Sequence, residues 1–167
     1  MGHALVARGV DLVYGGGRVG LMGEIADAVL EAGGKVYGVI PRKLRDLEVG
    51  HEGCTELFIV DGMHDRKLMM SQLADAFIAM PGGFGTMEEL FEVVTWTQLE
   101  YHQKPVGVLN RSGFYDLLLG WIHHANASGF IRDVHRDLIL SETDPEALLD
   151  ALETARLPSL AGWIDKV

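Results

Sequence analysis

Residues 81–89 read Pro-Gly-Gly-Phe-Gly-Thr-Met-Glu-Glu and follow the short apolar run Ala76-Phe77-Ile78-Ala79-Met80. That pattern is a buried strand ending in a glycine-rich turn that opens onto a helix, whose period is supplied by Leu90, Val93, Val94 and Thr97. Glycines at such a joint let backbone N–H groups approach a ligand closely. The helix N-terminus behind them adds partial positive charge, so the joint favours phosphate. Glu89 sets a carboxylate inside the helix, beside that anion cradle. An acid next to a phosphate site suggests a nucleotide or sugar phosphate with chemistry attached. The competing reading is structural: Thr86 and Glu89 have the spacing of a capping box, with Thr86 as N-cap and Glu89 returning to the Thr86 backbone N–H. A cap needs only one glycine and this turn has Gly82, Gly83 and Gly85. A carboxylate has two oxygens, so Glu89 can also serve both purposes.

Two further segments carry chemistry. Gly15-Gly16-Gly17-Arg18-Val19-Gly20 lies between a strand at Val10–Tyr14 and a helix starting at Leu21, and it satisfies the dinucleotide pattern in context. The partner of that pattern is an acid closing the next strand, to hold a ribose. That strand here runs into Pro41-Arg42-Lys43, so ordinary NAD binding is disfavoured. A phosphate or ribose contact at Gly16 and Gly17, shared with the loop at Pro81, fits better. The second segment is Met63-His64-Asp65-Arg66-Lys67, after an apolar run at Glu56–Val60. It reads as a solvated first helical turn or as an anion site. Cations near a helix start oppose the dipole, and serving an anion explains them. The polar stretch from Pro41 to Gly53, carrying Glu48, reads as a connection or as a lid over the site. The adjacent His123 and His124 point ~100° apart on a helix and lack metal-ligand spacing, so no metal is expected. No Ser-His-Asp or Cys-His arrangement is present, and Trp96, Tyr101 and Trp121 read as core or dimer contacts.

The elements that must position these residues alternate. Strands are expected at Val10–Tyr14, Lys35–Ile40, Glu56–Val60, Ala76–Met80 and Pro105–Asn110, with a weaker one at Asp137–Leu140. Helical patterns lie at Leu21–Ala32, Asp65–Leu73, Thr86–Tyr101, Phe114–Ser128 and Pro145–Thr154. Alternation of this kind, with strands apolar on both faces, predicts an α/β fold: a doubly wound parallel sheet, Rossmann-like. No repeat or linker precedes the tail at Leu157–Val167, so residues 1–167 are expected to form a single domain. In such sheets ligands lie beyond the strand carboxyl ends, where all the glycine-rich segments fall.

Bulk properties narrow the function classes. At 167 residues and 18.3 kDa the chain suffices for one domain with a core. A net charge of −10, with no cluster of Lys and Arg, disfavours nucleic acid and membrane surfaces. No apolar run approaches the roughly 20 residues that span a bilayer, and the N-terminus lacks the features of a secretory signal. The single cysteine, Cys54, excludes an internal disulfide and reads as a small semi-buried side chain. A cytoplasmic setting is expected.

Three ordered motifs together resemble one family. They are Tyr14-Gly15-Gly16-Gly17-x-x-Gly20-Leu21-Met22-Gly23, Met63-His64-x-Arg66-Lys67 and Pro81-Gly82-Gly83-x-Gly85-Thr86-x-x-Glu89. They are similar to the LONELY GUY family of cytokinin riboside 5′-monophosphate phosphoribohydrolases, many of them labelled "possible lysine decarboxylase". The resemblance covers nearly the whole chain. It implies hydrolysis of the N-glycosidic bond of a nucleoside 5′-monophosphate, releasing adenine or an N6-substituted adenine and ribose 5-phosphate, without a cofactor. It implies Arg66 and Glu89 as the catalytic pair. Nucleotide contacts would come from Glu48, Arg66, Lys67, the loop Gly82, Gly83, Phe84, Gly85, Thr86, Met87, Glu88 and Glu89, and Thr95. It also implies a homodimer, with sites near the interface. Thr95, six residues after Glu89, lies on a different helix face and suits a site completed by a second subunit. Members of the family begin with a further strand and a glycine-serine turn, so this chain is expected to lack that first strand.

Two competing functions accompany this reading. A nucleotide or molybdenum-cofactor carrier without catalysis would share the fold and the loop. A pyridoxal-phosphate lysine decarboxylase would need a Schiff-base lysine, for which Lys35, Lys67 and Lys104 are the candidates.

Overall fold

A computed structural model describes residues 1–47 and 50–158, and the chain divides into two compact units, Met1–Ala74 and Asp75–Val167. In the first unit the order is α1 (Gly2–Ala7), β1 (Leu12–Tyr14), α2 (Leu21–Glu31), β2 (Val36–Pro41), α3 (Arg42–Arg45), β3 (Glu56–Val60) and α4 (Met63–Leu73). Its three strands form a parallel sheet in the order β1-β2-β3. Val36, Val39 and Ile40 of β2 are buried, as expected of a central strand covered on both faces.

Register matters more for the site than the fold class does. Tyr14, the last residue of β1, pairs with Gly38, whereas β2 and β3 run on together to Pro41 and Val60. The chain leaving β1 therefore crosses residues 38–40 of β2 instead of prolonging the sheet. Gly38 makes this crossing feasible: a methyl there would come within 3.0 Å of the Gly16 Cα and 2.8 Å of Leu57.

The second unit repeats the plan with β4 (Phe77–Ala79), α5 (Phe84–Gln98), β5 (Val106–Leu109), a single 3₁₀ turn (Arg111–Gly113), α6 (Asp116–Ala127), α7 (Asp133–Arg136), β6 (Ile139–Glu142) and α8 (Pro145–Thr154). Its sheet is also parallel, in the order β4-β5-β6. Every residue of β5 is buried, and Ala79, Leu90, Val106, Val108 and Tyr115 form one apolar cluster. Gly107 lets α8 lie close on the sheet, because a methyl there would approach Leu148 to 2.8 Å.

The expected α/β, Rossmann-like class holds, and the strand at Glu56–Val60 and the helix at Pro145–Thr154 have the expected limits. The weak strand at Asp137–Leu140 is displaced to Ile139–Glu142: α7 ends at Arg136, and the buried Leu138 still donates its N–H to the His135 carbonyl at 3.3 Å. α3, expected as part of a polar connection, is one turn held by backbone bonds to Arg42 and Leu44. No helix among the described residues is long and apolar enough to cross a membrane.

Two measurements follow from this packing. Asp144 caps α8 by accepting the N–H groups of Glu146 and Ala147 at 2.9 and 3.2 Å. Asp144→Ala should cost about 1 kcal/mol in a urea titration, and Asp144→Asn much less. Burial pushes the Tyr115 phenol up to about 12, above its ordinary value of 10.0. The unfolded chain releases this proton first, so stability present below pH 10.0 is lost as pH rises toward about 12. Alkaline unfolding followed at several pH values should show that loss, and Tyr115→Phe should lack it.

Candidate active site

The glycine loop of the second unit leaves β4 at Ala79 and enters α5 at Phe84. The N-cap is Gly83, with no side-chain cap, and the Met87 N–H donates to the Gly83 carbonyl at 3.1 Å. This corrects the capping-box reading: Thr86 is the third residue of the helix rather than its cap, and Glu89 lies in the second turn. The helix starts two residues earlier than expected, because nothing in Gly83-Phe84-Gly85 prevents helical backbone. Glu89 is therefore not held in place by an N-terminal cap.

The three glycines of the loop are not equivalent. A methyl at Gly82 would run into the Thr86 hydroxyl, so Gly82 is demanded by a contact within the chain. Gly83 and Gly85 face open space, and neither has a left-handed backbone. Among the described residues nothing requires glycine at these two positions. What the missing side chains leave free is the approach to the first amides of α5, at the positive end of its dipole. Phe84, between them, is 97% exposed. Glu88 is exposed, while Met87 and Glu89 are half-buried.

In the first unit the turn Gly15-Gly16-Gly17 is buried throughout. Gly16 has a φ of +73°, and a methyl there would come to 3.1 Å from Ile40 and from Leu57, so glycine is required twice over. A methyl at Gly15 would fall on the guanidinium of Arg66. Arg66 is on the first turns of α4, whose start is fixed by the Asp65 carboxylate accepting the Gly62 N–H at 3.0 Å. The Arg66 side chain thus lies flat against the glycine turn. Its Nε is buried with no hydrogen-bond partner among the described residues, and Nη1 reaches only the Met63 sulfur at 3.9 Å. A half-buried cation without a carboxylate is costly unless an anion from outside joins it. Lys67 next to it is buried.

The remaining expected site residues are less telling. Thr95 is exposed, and its hydroxyl donates to the Phe91 carbonyl at 2.6 Å within its own helix. Glu48 lies outside the described residues. Cys54 is half-buried, its Sγ 3.5 Å from the Tyr14 hydroxyl; burial pushes its thiol up, so it is no ready nucleophile. His123 and His124 are exposed, as are Tyr101 and Trp121. No group of His, Cys, Asp and Glu among the described residues has the arrangement to hold a metal ion.

One pair that sequence reasoning missed supports the first turn. His51 is buried, its Nδ1 accepting the Gly53 N–H at 3.1 Å. Nε2 therefore carries the proton and donates to Asp27 on α2 at 2.9 Å. The His51 backbone N–H donates to the Gly16 carbonyl at 3.0 Å, and Gly17 and Gly50 form an antiparallel bridge. The glycine turn is thereby tied to α2 through one imidazole. Its only sequence trace is a histidine between Gly50 and Gly53.

Known proteins resemble this chain along most of its length. Residues 22–152 match the family model described as "Possible lysine decarboxylase". The chain is 52% identical over 153 residues to the cytokinin riboside 5′-monophosphate phosphoribohydrolase LOG of Oryza sativa subsp. japonica, covering 92% of this chain and 63% of that protein. It is 51% identical to LOG2 of Arabidopsis thaliana, covering 92% and 72%. The chain thus spans about two thirds of the length of these relatives. Among solved structures, a molybdenum cofactor binding protein from Rippkaea orientalis superposes with a TM-score of 0.67 at 22% identity, over 92% of this chain and 82% of that one. The molybdenum cofactor carrier protein of Chlamydomonas reinhardtii gives 0.64 at 20% identity, over 90% and 79%. At those identities the likeness is one of fold.

The contact between Gly15 and Arg66 yields a test that leaves the arginine in place. Gly15→Ala should displace the guanidinium and weaken AMP binding, measured by calorimetry, by at least ~10-fold, since small misplacements are expensive in such sites. Unchanged affinity would show that the position of Arg66 is immaterial to the anion.

Proposed function

This chain belongs to the family described as "Possible lysine decarboxylase", that of the LONELY GUY proteins, and from that membership we propose that it is a nucleoside 5′-monophosphate phosphoribohydrolase. Its substrate is a cytokinin riboside 5′-monophosphate or AMP. Water adds across the N-glycosidic bond, its oxygen going to the anomeric carbon and a proton to the base. Free base and ribose 5-phosphate leave. The observation that carries this reading is Arg66: a guanidinium laid on a buried glycine turn, with a buried Nε that no described residue satisfies.

The chemistry assigns each group a task. Glycosidic cleavage passes through an oxocarbenium-like state, which a fixed carboxylate stabilises electrostatically. Glu89 takes that part and orients or deprotonates the attacking water. Loss of the capping explanation for Glu89 supports this role, because the first turn of α5 is closed without it. Arg66 binds the phosphate or assists the departing base, with Lys67 beside it. The amides exposed at Gly83 and Gly85, together with Gly16 and Gly17, hold the phosphate and convert its binding energy into orientation of the sugar. Glu48, Thr95 and residues 82–88 complete the nucleotide contacts.

The protein works in the cytoplasm as a homodimer. The face of α5 and α6 where Phe91 and Trp121 meet edge to face at 5.8 Å, with Leu117 exposed beside them, supports association of two copies.

Incubation with AMP and with prenyl-AMP, followed by chromatography of the released base, tests the activity and its base preference. A carrier would return the nucleotide intact. AMP should bind more tightly than adenosine in calorimetry; equal affinities would remove the phosphate from the argument. Arg66→Ala should abolish turnover while the melting temperature holds. Glu89→Gln should melt with the wild type, still bind AMP and lose at least ~10² in base release. A variant that turns over normally would move the search for the carboxylate to Glu48.

A further inference from the structure

We propose that Tyr115 is a positioning residue for the glycine loop, aiming its amides through a hydrogen bond from the phenol to the carbonyl of Met80. The inference rests on the reading of that loop as the phosphate cradle. β4 pairs with β5 only as far as Ala79 opposite Val108, so Met80 has left the ladder. Pro81 follows and has no N–H to donate. The root of the loop therefore needs a partner from elsewhere in the unit. The Tyr115 hydroxyl supplies it, donating to the Met80 oxygen at 2.6 Å. That is the short end of the O–H···O range.

Tyr115 is itself held on every side. It is 1% exposed, and its ring packs in the cluster of Ala79, Leu90, Val106 and Val108. Its backbone N–H donates to Asn110 Oδ1 at 2.7 Å. Asn110, directly after β5, donates from Nδ2 to Asp116 at 2.7 Å and from its backbone N–H to the Glu142 carbonyl at 2.8 Å. Between Asn110 and Tyr115 the chain turns through two consecutive left-handed residues, Ser112 at φ +55° and Gly113 at +72°. A serine adopts that conformation at a cost, which the bonds of Asn110 on one side and Tyr115 on the other offset. The result is a continuous brace: Glu142 of β6, Asn110, Tyr115, Met80.

The loop needs such a brace because two of its three glycines, Gly83 and Gly85, have no neighbour where a side chain would stand. Gly83 and Gly85 have open surroundings, so no side-chain contact orients their amides. Their direction is set by α5 at one end and by the Met80–Pro81 peptide at the other. Fixing the Met80 carbonyl fixes the plane of that peptide, two residues before the first cradle glycine. A phenol that only satisfied its own burial would contribute stability and nothing else, and the two roles separate experimentally.

Tyr115→Phe removes one oxygen and keeps the ring in its core. A positioning role predicts a KM for AMP raised about tenfold, with kcat changed far less and adenosine affinity unmoved. Ile122→Val, a methylene deletion in α6, is the control: it should lower the melting temperature without moving KM. Tyr115→Phe with wild-type KM overturns the proposal, whatever its melting temperature. If the variant does not fold, proton exchange of the Tyr115 hydroxyl is followed by NMR in the wild type. Exchange slowed by saturating AMP supports the brace, and a rate unmoved by AMP overturns it. Wild-type protein that neither binds nor cleaves AMP would instead sink the phosphoribohydrolase reading, which keeps the two failures apart.

Discussion

Backbone can come close to other atoms only where side chains are missing, and the glycine turn after β1 is built on that constraint. Gly15 leaves room for a guanidinium, Gly16 takes a left-handed conformation against Ile40 and Leu57, and Gly38 lets the turn cross the sheet beneath it. Any one methyl in this stack would displace its neighbour, since packed interiors do not yield by several tenths of an ångström without cost. Arg66 lies where it does because Gly15 has no side chain. The unsatisfied Nε is then a consequence of the packing: the surface that receives the guanidinium is a glycine backbone, with no carboxylate in it.

The second unit uses glycine differently. There the loop is open, and a side chain at Gly83 or Gly85 would meet nothing within 4 Å among the described residues. Gly82 packs beside Thr86, and the rest of the loop is held at its ends, by the regular α5 and by the buried phenol at Met80. In the first unit His51 has a similar place, with Asp27 on one ring nitrogen, Gly53 on the other and Gly16 on its backbone. Neither aromatic ring belongs to a recognised motif. Both convert core packing into fixed peptide planes, and fixed dipoles need no reorganisation when a charged ligand arrives.

The chain carries a strong negative charge, yet Arg66 and the buried Lys67 stand together on the first turns of α4. An anionic ligand thus meets local donors against an unfavourable overall field. Short-range hydrogen bonds in a partly buried site outweigh that screened long-range repulsion, which fades over about 8 Å at physiological salt. The arrangement favours a small ligand that enters the site over an extended polyanion spread across the surface.

Much of this was legible in the residues themselves. Alternating apolar runs and helical periods carried the α/β class, because strand and helix periods are local properties of the chain. The glycine segments announced themselves by composition, and Arg66 and Lys67 by standing at the wrong end of a helix dipole. The helix cap was misread, since Thr86 and Glu89 have the spacing of a capping box and only backbone geometry shows that Gly83 begins the helix. The short turns α3 and α7 carry no period long enough to be read. Tyr115 and His51 were invisible for a different reason. Their partners, Met80 and Asp27, are 35 and 24 residues away, and each bond exists because the fold brings residues distant in the chain together. Local pattern determined which elements form and which residues are fit to hold an anion. Tertiary structure alone decided which peptide groups are held still, because that depends on side chains meeting across long separations that no spacing in the chain records.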